Sequence, residues 1–289
     1  MERSMKSLIC ALFILLYHLS WSQFDQAYQL YNGKGKKIKF EQMKSGVLAN
    51  EFVFFGEYHD NPISHWLQYE VLKIMHDQHG SQLVLGFEMF ERDQQVLLTE
   101  YIDGLVDDKR FEDSCRLWTN YKTDYKPLIM IAKQHHLNCV AANIPRKYAS
   151  QLFKRGRKSL DSLSAAEKNL MAPIDFTIDT TLSQYAALIE MEQHMDGKHM
   201  LEAQAIKDAT MAQSILRYTS GEQKMLHFNG AYHSDFHQGI VWYLKKDRPA
   251  ASVFTITTVS QRNIDQLEKE HLGRADIIIC VNENMTKTH

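Results

Sequence analysis

Two stretches of the 289-residue chain share one grammar, FVFFGEYHDNPISHW at 52–66 and MLHFNGAYHSDF at 225–236, each an apolar run that ends in Gly-x-x-His. The first delivers Gly56, Glu57, Tyr58 and His59, and the second Asn229, Gly230 and His233. Glu88 stands just past a further apolar run in LVLGFEMF, and Asn143 ends another in VAANIP. Carboxylates and imidazoles together can hold a borderline divalent ion, so Glu57, His59, Glu88 and His233 are candidate metal ligands. The same four can do general acid–base work as carboxylate–histidine pairs. The plainer alternative is a buried polar network that stitches loops to a sheet. Gly56 and Gly230 would permit a sharp turn or a close backbone approach.

These residues need a scaffold that brings four distant segments to one place. Short apolar runs recur at 52–55, 83–87, 139–142, 224–228, 252–259 and 277–281, near-continuous as expected of strands buried on both faces. Amphipathic segments separate them. Ile63, Trp66, Leu67, Val71, Ile74 and Met75 fall at helical spacing after Asn61-Pro62, a cap and first-turn proline. RDQQVLLTEYIDG and YKPLIMIAKQHH read as two more helices, and Asn32-Gly33 within AYQLYNGKGKKIKF as a hairpin turn. The pattern predicts an α/β fold, a mostly parallel central sheet with helices on both faces. Residues 146–221 break the rhythm and read as a small helical insertion or lid, with Ser164 and Glu167 as a capping box and two helices around Asp196-Gly197. Ligands of such sheets bind beyond the carboxyl ends of the strands, where all the candidate residues fall.

Taken together, GEYHDNPISH, GFEMFERDQQ, YKPLIMIAKQHHLNCVAANIPRKY, AQAIKDATMA and NGAYHSD resemble the ChaN-like haem-binding uptake family, which is related to the Tiki and erythromycin-esterase proteins. The resemblance runs from about Phe52 to beyond His233. It implies a sheet domain with a small helical domain, a cleft between them that accepts haem, paired subunits, and an envelope protein linked to iron acquisition. Gly56, Glu57, His59, Glu88, Asn229, Gly230 and His233 match the shared framework, and Gln204, Asp208 and Met211 match the helical segment. The family's haem ligation involves a tyrosine, for which Tyr58, Tyr148 and Tyr185 are all candidates. Relatives with Gly-x-x-His motifs include metal-dependent hydrolases, so the alternatives are a divalent-metal peptidase or esterase and a secreted, non-catalytic interaction protein. MEQHMDGKHM adds Met191, His194, Met195, His199 and Met200 around one turn, axial-ligand types beside adaptable apolar contacts. The alternative there is a helix–helix core with surface histidines. The basic tract at 154–158 could meet haem propionates or simply be solvated.

The N-terminal MERSMKSLICALFILLYHLSWSQ reads as a signal peptide, with cleavage near Ser22 and the functional domain over 23–289. Its apolar run is short for a membrane span, and Cys10 lies within it, so no convincing lipobox is present. An exported, periplasmic or secreted protein is expected, with no stable transmembrane segment after cleavage, a homodimer and an envelope haem-uptake receptor being its candidate partners. The net charge of −2, or −3 without Glu2, Arg3 and Lys6, gives no field for gripping nucleic acid. Cys115, Cys139 and Cys280 are odd in number and widely spaced, and predict buried thiols rather than disulfides or zinc ligands.

Overall fold

Side chains alternate across a strand, so a strand apolar at every position needs a cover on both faces. Phe52, Val53, Phe54 and Phe55 show how this is met: all four are fully buried, Val53 and Phe55 under one helical layer and Phe52 and Phe54 under the other. Each such burial contributes roughly 1.5–3 kcal/mol. The computed structural model describes residues 26–194 and 199–288. The proposed signal peptide, Met195 and the Asp196-Gly197 turn lie outside them.

The chain runs β1 (Tyr28–Asn32), α1 (Phe40–Ala49), β2 (Phe52–Glu57), α2 (Pro62–His79), β3 (Leu83–Glu91), α3 (Gln95–Ile102), α4 (Asp108–Ser114), α5 (Lys126–Gln134) and β4 (Asn138–Asn143). It continues with α6 (Arg146–Arg155), α7 (Ala165–Lys168), α8 (Ser183–Glu192), α9 (Met200–Tyr218), β5 (Lys224–Gly230), α10 (Ile240–Asp247), β6 (Val253–Gln261) and β7 (Ile277–Asn282). The seven strands form one sheet in the order β1-β7-β6-β2-β5-β3-β4. Only the β1–β7 pair is antiparallel. This is the α/β fold the sequence implies, and each of the six apolar runs forms a strand.

One face of the sheet is covered by α1 to α5, the other by α6, α8, α9 and α10. Residues 146–221 therefore supply much of the second layer, with α9 packed along β4 and β3. Ser164 accepts from the Glu167 amide and Glu167 caps in return, forming the expected box at the start of α7. No helix among the described residues is long and apolar enough to cross a membrane. The three described cysteines are free and buried.

Two local expectations are corrected. The chain doubles back after Asn32 only briefly, through one antiparallel bridge between Tyr31 and Lys37 flanked by Asn32 N donating to Lys36 O and Ile38 N to Leu30 O, both at 3.0 Å. No second hairpin strand follows, and β1 pairs along its length with β7, whose Ile277–Val281 edge offers a longer apolar partner. On α2, Trp66 is 49% exposed, while Ser64, His65 and Gln68 are buried in its stead.

Candidate functional site

Strand parity decides where each acid points. Glu57 follows Val53 and Phe55 onto the α2 face, whereas Glu88 follows Val84 and Gly86 onto the α9 face. The four residues suspected of one metal site thus arrive as two carboxylate–histidine pairs on opposite faces of the sheet's carboxyl edge.

Glu57, 1% exposed, is held by three donors. His59 Nδ1 lies 2.8 Å from Oε1, the Tyr125 hydroxyl donates to the same oxygen at 2.5 Å, and Gln68 Nε2 donates to Oε2. Asn61 accepts from the Ile63 and Ser64 amides at 3.1 and 3.0 Å, so α2 starts where Gln68 can reach Glu57. The His59 carbonyl is fixed as well, by Asn120 Nδ2 at 2.7 Å and His65 Nε2 at 3.0 Å. Asp124 accepts from Asn120 at 2.7 Å and from the Thr288 hydroxyl at 2.8 Å. Thr288 also donates its amide to the Asp60 carbonyl at 3.0 Å, and Lys287 Nζ reaches the Asp60 carboxylate at 2.5 Å. The last residues of the chain thereby strap the loop that carries His59. Burial works against a charge on His59, but the bond to Glu57 and the Glu88 charge outweigh it and raise its pKa.

The second pair is deeper. Glu88 accepts the Gly230 amide at 2.7 Å, and His233 Nε2 lies 3.2 Å from its other oxygen. His233 Nδ1 bonds Asp208, the Gln204 carboxamide lies 2.9 Å from the same nitrogen, and the Tyr185 hydroxyl donates to Asp208 at 2.7 Å. Burial alone would strip His233 of its proton; the Glu88 and Asp208 carboxylates reverse that and push its pKa up to about 10. Glu88, although buried, is driven well below the carboxylate range by the same imidazolium, while burial raises Asp208. Asn229 donates to Ser234 Oγ and to the Gly230 carbonyl, both at 2.9 Å.

The two pairs meet at Gly230. A Cβ there would lie 2.9 Å from His59 Nε2 and Cε1 and 3.6 Å from Glu88 Oε2, so the His59 ring rests on a backbone that only glycine leaves bare. Gly56 is equally confined, a Cβ meeting the Ala231 Cα at 2.9 Å. His59 packs edge-on against Trp118, ring centres 4.7 Å apart. Both side chains line a cavity of about 1050 Å³, together with Asn120, Pro145, Arg146 and Lys147. A neighbouring hollow of about 300 Å³ shares Trp118, Arg146 and Ser150 and adds Glu88, Met89, Asn143 and Ile144 with Phe153 and Lys207. The two make one cleft over the ends of β2, β3 and β4. Trp118, Leu117, Met89, Ile144 and Phe153 supply apolar wall, Arg146, Lys147 and Lys207 cationic rim, and the lining acids Glu91 and Asp93 are paired with Arg116. Among the described residues Arg146 and Lys207 have no ion-pair partner.

Of the residues the sequence singles out, His59, Glu88 and Asn143 line this cleft; Glu57, Gly230, His233, Asp208 and Gln204 support it from behind. Asn143 spans Glu88 O, at 3.1 Å from its Nδ2, and the Ile144 amide, at 2.9 Å from its Oδ1. The candidate tyrosines do not line it. Tyr185 and Tyr148 are buried against Asp208 and Glu167, and Tyr58 faces Arg274 and Asp235 behind the site. Met191 is exposed in the last turn of α8 and His194 just beyond it, and Met211 is buried in the core. Arg155, Lys158 and His199 line a separate hollow of about 990 Å³ that also carries Asp161, Asp175 and Glu202. Among the described residues the one grouping of three His, Cys, Asp or Glu donors with one atom each within 4.8 Å of the others is Glu268, Glu270 and His271. Sequence reasoning passed over His65, Gln68, Asn120, Asp124, Tyr125 and Trp118. The one legible signal was polar Ser64, His65 and Gln68 beside the apolar stripe of α2.

Residues 44–244 match the family model described as haem-binding uptake, Tiki superfamily, ChaN. Among solved structures, ChaN of Campylobacter jejuni, described by its cofacial haem binding, is 16% identical and superposes with a TM-score of 0.65 over 88% of this chain and 97% of its own. A Bacillus cereus protein is 11% identical, with a TM-score of 0.52 over 84% and 90% of the two chains. The erythromycin esterase EreC is 11% identical, with a TM-score of 0.48 over 81% and 77%. No curated protein matches.

Proposed function

Since this chain belongs to the haem-binding uptake family of the Tiki superfamily, ChaN, we propose that it binds haem in the cleft over β2, β3 and β4. The observation that carries the reading is His59. It lines a cleft wide enough for a small-molecule ligand, and its Nδ1 is tied to a buried carboxylate. Metal-ligating histidines characteristically use one ring nitrogen in this way, which fixes the tautomer and sharpens the basicity of the other. Bound haem would supply an iron that a neutral imidazole can ligate. His59 Nε2 is the donor this chain offers, Trp118, Met89 and Ile144 the apolar walls for the porphyrin, and Arg146, Lys147 and Lys207 the cations for its propionates. Glu57, Gln68 and Tyr125 orient His59, while the Glu88–His233–Asp208 relay holds the floor. Beyond the cleft, we place the protein in the bacterial envelope, in haem and iron uptake, with a second copy of the chain closing the open side and a haem-uptake receptor as its partner.

The test is a haemin titration followed at the Soret band. Saturable binding at micromolar haemin is expected, with His59→Ala altering the spectrum and weakening binding. Imidazolium cannot ligate iron, so affinity falls as pH drops through the raised pKa of His59. No saturable change removes haem binding; an unchanged spectrum in His59→Ala removes His59 as the ligand.

One observation favours a second reading, an ester or peptide hydrolase: Glu57–His59 is an oriented general-base pair in an open cleft. Turnover of model esters or peptides that His59→Ala abolishes would support it. A variant that loses stability alone would leave a structural network.

A further inference from the structure

Behind the sheet's carboxyl edge, the loop between β6 and β7 brings Glu268, Glu270 and His271 together, one donor atom from each within 4.8 Å of the others. The glutamates are exposed, but His271 is 4% exposed and, among the described residues, neither ring nitrogen has a hydrogen-bond partner. A buried imidazole left unbonded on both sides is costly and calls for a ligand. Its Nε2 lies 4.0 Å from Glu270 Oε1. That is too long for a hydrogen bond. It is slightly more than the spacing of about 3.4 Å between two ligands that each sit roughly 2.1 Å from a tetrahedral ion. Rotation of an exposed glutamate closes the difference.

The surrounding charges are compatible. Burial, then Arg274, lowers the pKa of His271. Arg274 is itself engaged, donating to Asp235 at 3.1 Å and lying over the Phe236 ring at 5.6 Å, and Lys269 is exposed. We propose that Glu268, Glu270 and His271 bind one borderline divalent cation of the Zn²⁺ class, through an imidazole nitrogen and two carboxylate oxygens, with water completing the shell. The site is distinct from the cleft and independent of haem. An ion there would tie down the loop whose Arg274 holds Asp235, two residues beyond His233.

The test uses the whole protein titrated with Zn²⁺ by calorimetry and with Co²⁺ by visible absorbance. One ion per chain is expected, with micromolar affinity. The double variant Glu268→Gln/Glu270→Gln, altered only at exposed positions, should bind at least about ten-fold more weakly. His59→Ala, which removes the cleft imidazole, should bind as the parent does. No saturable uptake at roughly 100 μM ion, equal uptake by the double variant, or loss confined to His59→Ala would each overturn the site.

Discussion

Glu88→Gln keeps the shape of the side chain and removes the charge on which the deeper half of the site is built. The buried glutamate holds the Gly230 amide at 2.7 Å and His233 at 3.2 Å. Taking away one member of a buried ion pair costs about 3–5 kcal/mol, because the other charge is left without compensation. Asp208 still faces His233 on its far nitrogen, which places the expected loss near the lower end, about 3 kcal/mol. For a domain of this size that is roughly 6–12 °C in Tm. The pH dependence separates this from a loss of packing. His233 is held at about 10 against an ordinary histidine value, so its contribution is complete below that ordinary value and is lost progressively as pH rises from there through about 10. The parent should therefore lose stability between pH 7 and 10. The variant, whose His233 holds its proton less firmly, should start lower and decline less. Urea unfolding followed by circular dichroism at pH 7 and 9.5 measures both. A loss under about 1 kcal/mol at pH 7, or parallel pH profiles for the two proteins, would refute the clamp.

Gly230→Ala isolates the contact between the two halves, since Gly230 has φ −58° and any residue can adopt it. The added carbon, 2.9 Å from the His59 ring, should cost about 1–3 kcal/mol. It should also let His59 titrate closer to an ordinary histidine, read by NMR. Replacing Arg146 and Lys207 together with glutamate should weaken haemin binding by at least about ten-fold without loss of fold. The same change at Arg155 and Lys158 should leave haemin binding nearly unchanged.

The sheet was legible because its strands are buried on both faces, and two-sided burial writes itself as unbroken runs such as Phe52 to Phe55. The sites at the strand ends were legible for a related reason, as Glu57, Glu88, Asn143 and His233 interrupt apolar runs that otherwise need no polar residue. Pairing was not legible. Whether Glu57 and Glu88 share an ion or face opposite layers depends on parity relative to a sheet whose neighbours are fixed far away in sequence. The partners of Glu57 were hidden for another reason: Tyr125 and Asn120 come from a single π-helical turn and its approach, and nothing local marks a tyrosine as aimed at a carboxylate 68 residues earlier. Asn32-Gly33 misled because a turn signal fixes the bend and says nothing of which edge the strand then joins.

The strand order also sets a schedule for synthesis. β2 lies between β5 and β6, so Phe52 first meets a sheet partner at Met225. At roughly 5–20 residues per second, the intervening stretch of roughly 170 residues takes about ten to thirty seconds to emerge. Throughout that interval a Phe-Val-Phe-Phe edge has no sheet partner on either side. Loop closure over such a span is slow and leaves apolar edges open to other chains. The same topology that gathers distant segments around Gly230 makes the nascent protein dependent on whatever shields β2 until β5 arrives.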